Sequence, residues 1–167
     1  MLAVIVLGLP AQEAVDLKPG LAGEYFEIGK PLHDFPSTDG LRPLVRRVDP
    51  EIRFGPTVPG SESFGGTGLE DRFYVRWTGK LRVPARGRYV FTLGSDDGSR
   101  LLLEGRPVID NGGVHLFREA AVTLELDPGL YDLQVEYFDN EGVAACELSW
   151  EGPGFIRTVI PPSALLH

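Results

Sequence analysis

The sequence predicts an all-β fold, an antiparallel β-sandwich or barrel with little or no helix. Apolar residues recur with period two, turn residues punctuate them at short intervals, and no stretch has the period of an amphipathic helix. Phe73, Val75 and Trp77 share one face of a strand while Tyr74, Arg76 and Thr78 share the other. Tyr89, Phe91 and Leu93 repeat the pattern, followed by Val122, Leu124 and Leu126, by Leu133, Val135 and Tyr137, and by Ala144, Cys146, Leu148 and Trp150. Such alternation turns one face to a core and the other to solvent or to a second layer.

The separators are Pro84-Ala85-Arg86-Gly87, Asp96-Asp97-Gly98, Glu104-Gly105, Asp127-Pro128-Gly129 and Asn140-Glu141-Gly142. Proline presets φ at the first corner of a turn and glycine supplies positive φ. Residues 29–66 are dense in Gly, Pro, Ser and Asp and read as a long excursion with one or two brief strands, a kind of segment that often serves function. A short helical turn is expected near Ser163-Ala164-Leu165.

Composition bounds the function classes. The chain has 167 residues, 43% hydrophobic, with 21 Gly, 14 Pro and a formal charge of −8. That length suits one domain, and the apolar fraction exceeds that of a disordered chain. The acidic balance argues against nucleic-acid binding, which needs clustered Lys and Arg. One cysteine excludes an intrachain disulfide and a thiolate zinc cluster. Cys146 falls in phase with Leu148 and Trp150, as a buried thiol does. No run of apolar residues is long enough for a transmembrane segment. Met1–Ala11 reads either as a signal peptide cleaved after Ala11 or as a buried strand. The expected organisation is signal peptide 1–11, leader 12–19 and one domain over 20–167, in a secreted, periplasmic or cell-surface protein.

From residue 20 onward, a series of pieces resembles the PA14 domain family in the family's own order. They are Gly20-Leu21-Ala22-Gly23-Glu24-Tyr25-Phe26, the strand ending Trp77-Thr78-Gly79, the run from Gly87 to Leu101 through Ser95-Asp96-Asp97-Gly98-Ser99, and Gly105 with Val108-Ile109-Asp110-Asn111. Gly129-Leu130-Tyr131, Val135 to Gly142, Leu148-Ser149-Trp150 and the closing Ile160 to Leu165 complete them. The resemblance implies an antiparallel sandwich, in agreement with the alternation. It also implies a non-catalytic module, found in secreted glycosidases, adhesins and toxins, that binds carbohydrate through a calcium ion.

The same resemblance assigns calcium ligands to Asp96 and Asp97 on one loop and to Asp139 and Asn140 on a second. Which of Asp139 and Asn140 takes the second-loop place stays open. Neighbours on an extended strand point to opposite faces, so Asp96 and Asp97 need a sharp corner or a cis peptide to face one ion. The resemblance implies that the Asp96–Asp97 peptide is cis. Calcium takes six to eight oxygens, which two such loops supply with carbonyls and water. Free positions on the ion then accept sugar hydroxyls, and an aromatic ring stacks on the sugar. Phe117, Tyr137 and Phe138 stand at the right motif positions. Phe138 alternates with the core-facing Tyr137 and is the one expected to be exposed. Asp96, Asp97, Phe117 and Phe138 are therefore the expected ligand-contacting set.

Two other readings remain. Ser95-Asp96-Asp97-Gly98-Ser99 is also good hairpin-turn chemistry. The same fold also serves protein docking or assembly without sugar. An enzyme is the least supported class, because no nucleophile triad, phosphate loop or HExxH is present.

Overall fold

The structure is a computed structural model and describes residues 16–167. The signal-peptide reading of residues 1–11 lies outside the described residues. Twelve strands follow in chain order: β1 (Leu21–Glu27), β2 (Val45–Asp49), β3 (Arg53–Phe54), β4 (Phe73–Val83), β5 (Gly87–Asp96), β6 (Ser99–Leu103), β7 (Arg106–Asn111), β8 (Arg118–Leu126), β9 (Gly129–Asp139), β10 (Ala145–Gly152), β11 (Phe155–Val159) and β12 (Leu165–Leu166). The only helical piece among the described residues is a 3-10 turn at Phe64–Gly66. Residues 161–165 form a turn through the Ala164 N–H to Pro161 O bond, and the chain then enters β12.

The strands make two antiparallel sheets. One has the order β2-β1-β4-β9-β6-β7, with β12 also on β4. The other has the order β11-β10-β5-β8, with β3 also on β10. The alternating apolar residues meet between them in one core. Tyr25, Phe73, Val75, Trp77, Val135 and Tyr137 come from the first sheet, and Tyr89, Phe91, Leu93, Cys146, Leu148 and Trp150 from the second. The excursion contributes to the same core: Phe64 packs on Tyr137 at 5.0 Å between ring centroids, and Phe54 stacks on Trp77 at 5.6 Å. Both expected brief strands, β2 and β3, lie in that excursion.

The hairpin reading of Ser95–Ser99 is corrected by the topology. β5 and β6 do not pair; they belong to different sheets, so Asp97-Gly98 is a corner that carries the chain across the sandwich. Two further crossings reach the same end. Residues 112–117 join β7 to β8, and residues 140–144 join β9 to β10. Register brings the three together, since Ser95 pairs with Arg118, Asp96 with Ala145, and Ser99 with both Asn111 and Tyr137. A true hairpin does occur at β6–β7, where Glu104 (φ 50) and Gly105 (φ 71) supply the two positive φ values of a tight turn.

The outer face of the larger sheet is unusual for a face expected to meet water. Arg46, Glu24, Arg76, Glu136, Arg100 and Asp110 are successive cross-strand partners over six strands, with alternating sign. Arg76 Nη2 reaches Glu24 at 2.6 Å, and Arg100 pairs with the buried Glu136. Residues 28–41 lie over one end of this face. Arg76 donates to Thr38 Oγ1 at 3.4 Å, and the Arg100 guanidinium sits 4.3 Å from the Phe35 ring. Opposite charges directly across strands each contribute up to about 1 kcal/mol.

Candidate functional site

The three crossings build a carboxylate-lined end. The Asp97-Gly98 corner is stapled from below by a buried polar cluster. Ser95 Oγ and Ser99 Oγ lie 2.6 Å apart across the two sheets, and Asn111 Nδ2 donates to Ser95 Oγ at 3.1 Å and to Arg118 O at 3.1 Å. Arg118 Nε returns a bond to Asn111 Oδ1 at 2.9 Å. Tyr137 OH donates to the Asp96 carbonyl at 2.5 Å from inside the core. The Asp96–Asp97 peptide is cis. Ser95, Ser99 and Asn111 thus hold the corner. Their sequence signal was only membership of a motif, because each one's partner lies on another strand.

Asp96 and Asp97 are both buried. Burial first, and then the charge of Asp97, raises the Asp96 pKa from its ordinary value, while the Phe117 N–H bonded to it acts in the opposite sense. Asp97 Oδ1 accepts the His115 N–H at 2.9 Å, and Asp97 Oδ2 accepts the Asn140 N–H at 2.8 Å. Asp97 therefore ties all three crossings together.

Asp139, the last residue of β9, is 0% exposed, yet neither of its carboxylate oxygens has a hydrogen-bond partner. Burial raises its pKa to about 8, with Asp97, Asp71, Asp96 and Glu141 adding repulsion in that order. A carboxylate hidden from water without a donor costs several kcal/mol when ionised. The surrounding backbone is well satisfied, although Arg72 Nε is likewise buried without a partner. Arg72 N–H donates to Asn140 O at 3.0 Å, Gly142 N–H to Asp71 Oδ1 at 2.8 Å, and Ala144 N–H to Thr57 Oγ1 at 3.0 Å, and Arg72 pairs with Glu141. Asp71 and Arg72 are residues of this site that sequence reasoning missed. They precede β4 and reach the second loop only because β4 pairs with β9.

Asn140 uses its side chain elsewhere: Oδ1 accepts the Leu32 N–H at 2.8 Å. Phe117 is 53% exposed, and Val114, Leu116 and Val143 on the crossings to this end are exposed as well. Its ring lies against Gly94, where a Cβ would stand 2.7 Å from Cζ, so the ring needs glycine beneath it. Phe138 does not fit its expected role. It is 0% exposed, in a small cluster with Phe26, Leu32 and Tyr74, and its ring meets Phe35 edge-on at 5.3 Å. The expectation that it contacts ligand is therefore corrected: alternation does put it on the outer face, but residues 28–35 cover that face. Tyr137, Trp77 and Cys146 are core residues, and burial raises the Cys146 thiol pKa far above its usual value.

Hard carboxylate and amide oxygens suit a hard, oxygen-seeking cation such as calcium and not a soft metal. The unpartnered Asp139 oxygens beside Asp96 and Asp97 fit such an ion. Among the described residues no three His, Cys, Asp or Glu side chains are drawn together tightly enough to hold a metal by themselves. The remaining oxygens would have to be carbonyls and water.

Comparison with known proteins agrees with this architecture. Residues 17–164 match the family described as PA14 domain. The anti-sigma-I factor RsgI3 of Acetivibrio thermocellus is 32% identical over 149 residues, which cover 87% of this chain and 21% of that protein. The chain thus spans about a fifth of that relative's length. An anti-sigma factor domain-containing protein superposes with a TM-score of 0.73 at 28% identity, covering 88% of this chain and 48% of its own. A PA14 sugar-binding domain from an RTX adhesin superposes with a TM-score of 0.75 at 19% identity, covering 90% and 99%. The two-sheet sandwich and the match over nearly the whole described chain have one explanation: the chain belongs to the PA14 domain family.

Proposed function

We infer that the chain is a non-catalytic, calcium-dependent carbohydrate-binding module for an extracellular glycan or polysaccharide. The observation that carries the reading is Asp139, a buried carboxylate with no donor, set against the Asp96-Asp97 corner. The carboxylates of Asp96, Asp97 and Asp139 would hold the ion, with carbonyls of residues 139–143 in support. Bound calcium would supply a positive charge among these acids and open coordination positions for vicinal sugar hydroxyls. The chain's own residues do the rest. His115 and Asn140 orient Asp97 through their backbone N–H groups, and Phe117 offers an exposed ring for the apolar face of a sugar. The sugar-binding RTX adhesin domain, which shares this fold, supports the ligand class. A secreted, periplasmic or cell-surface location follows from the Met1–Ala11 pattern and from the polysaccharide partner. Among the described residues, no helix is long and apolar enough to cross a membrane.

The test is a thermal melt with calcium and with EDTA, followed by a glycan array in calcium. Ligand at a hundred times its Kd adds about 2.7 kcal/mol to a native state that alone binds it. A melt indifferent to calcium, together with an empty array, would overturn this function.

A second reading has its own support. The anti-sigma factor relatives and the exposed Val114, Leu116 and Phe117 favour a protein-docking module. A complex with a protein partner that survives EDTA would select it.

A further inference from the structure

Residues 28–41 pass over the outer face of the larger sheet with few bonds of their own. One end is held by the Ile28 and Gly29 N–H groups to Arg72 O, and near the other the Leu41 N–H to Thr38 O bond closes a turn within the segment. A cleft of about 580 Å³ is lined by residues of this segment, from Glu27 to Leu41. Besides the Arg76 bond to Thr38 and the Arg100 guanidinium on Phe35, its middle is fastened toward the carboxylate end along two lines. The first is polar: Leu32 N–H donates to Asn140 Oδ1 at 2.8 Å, and Asn140 N–H donates to Asp97 Oδ2 at 2.8 Å. The second is apolar: Phe35 packs edge-on against Phe138 at 5.3 Å, and the Phe138 ring fills the space where a side chain at Gly98 would stand. Both lines end on the Asp97-Gly98 corner, and both begin within four residues of the strap.

We propose that Asn140 is a positioning residue that couples docking of the 28–41 strap to cation binding at the Asp97 corner. Its amide oxygen holds the strap and its backbone N–H orients Asp97, so it acts on the ion through Asp97 and is not itself a ligand. The proposal rests on the calcium reading above. Coupling of this kind is reciprocal: an ion that fixes Asp97 and the second loop also fixes the strap, and a docked strap raises affinity for the ion by the same factor. Segments with few backbone bonds open most readily, so the strap is where such coupling is visible.

Amide hydrogen exchange on the full chain, with calcium chloride and with EDTA, tests this. Calcium should slow exchange at residues 95–98 and 139–143, and also slow it about fivefold or more at Leu32–Phe35. In Asn140→Ala, calcium affinity measured by calorimetry should fall about tenfold, and exchange at Leu32–Phe35 should no longer respond to the ion. Asn140→Asp keeps an oxygen for the Leu32 N–H and should restore the response. A purely structural role for Asn140 would instead speed strap exchange equally with and without calcium. Protection at 95–98 with no change at Leu32–Phe35 in the wild type would overturn the coupling and leave the calcium function standing. A calcium-dependent strap in Asn140→Ala would remove Asn140 as the link. Indifference at both regions would overturn the calcium function and this inference together.

Discussion

Asp49 and Asp139 are two buried carboxylates at the ends of paired strands, and their surroundings are opposite. Asp49 accepts Tyr25 OH at 2.5 Å, Trp77 Nε1 at 2.7 Å and Arg47 Nε at 2.7 Å. Asp139 accepts nothing and faces four other acids. Glu136 sides with Asp49, since it takes Tyr74 OH at 2.5 Å and the Arg100 guanidinium. A charge that the fold itself neutralises serves the fold. A carboxylate that the fold hides without a donor is the feature on which the proposed cation site rests. The charge ladder on the outer sheet makes the same point, because there every acid has a basic neighbour in register.

The largest effect that would sharpen this contrast is Asp49→Ala. It leaves the Tyr25 OH and Trp77 Nε1 donors without their acceptor, removes the Arg47 ion pair, and should cost about 3–5 kcal/mol of stability in urea unfolding, with the calcium response preserved. A loss below about 1 kcal/mol would break the comparison from the structural side.

Asp139→Asn should do the reverse. It removes a destabilising charge, so the protein in EDTA near pH 8 should be as stable as wild type or more so. The stabilisation of about 2.7 kcal/mol expected from calcium at a hundred times its Kd should disappear. Unfolding curves with and without calcium measure both. A calcium shift retained in full would show that Asp139 is no ligand.

The pH dependence of the wild type in EDTA comes next. The folded pKa of Asp139 is about 8 against an ordinary 3.8, so the folded state holds its proton more tightly than the unfolded state does. The associated stability is fully present below about pH 4 and is lost as pH rises toward 8. Asp96 is raised in the same direction. A melting temperature falling by roughly 5 °C between pH 5 and pH 8.5 is expected, flattened in Asp139→Asn. An equal slope in both proteins would assign the titration to another group.

The smallest effect concerns the exposed ring. Phe117→Ala should weaken sugar binding by about 1 kcal/mol while leaving calcium affinity unchanged. Stability should stay within about 0.5 kcal/mol, because the ring is half exposed. Glycan titration of the two proteins in calcium measures it, and unchanged sugar affinity would remove Phe117 from the site.

Much of the sandwich was legible from alternation. The inward residues of β4, β5, β9 and β10 were read correctly because both sheets bury one face of each strand. Phe138 shows where that reasoning stops. Period two says which residues oppose the core but not whether a distant loop covers the other face, and residues 28–35 do. The Asp96-Asp97 pair stood out as neighbouring acids beside Gly98, although turn chemistry alone suggested a hairpin. The crossing to the other sheet follows from which strands pair, and that depends on contacts far apart in sequence. Asp71 and the Ser95–Ser99–Asn111 staple had no local signal, since their partners sit twelve or more residues away or on the opposite sheet, and Asp49 has only Arg47 close to it in sequence.

By itself the sequence determined an all-β chain, its main strands, and the two acid-bearing loops, because strand periodicity and turn chemistry are local properties of neighbouring residues. Only the tertiary structure decided which acids are neutralised and which are not. Hydrogen-bond satisfaction depends on what arrives from other strands: Asp49 meets Tyr25 and Trp77 across β1 and β4, whereas Asp139 finds no donor and lies near other acids.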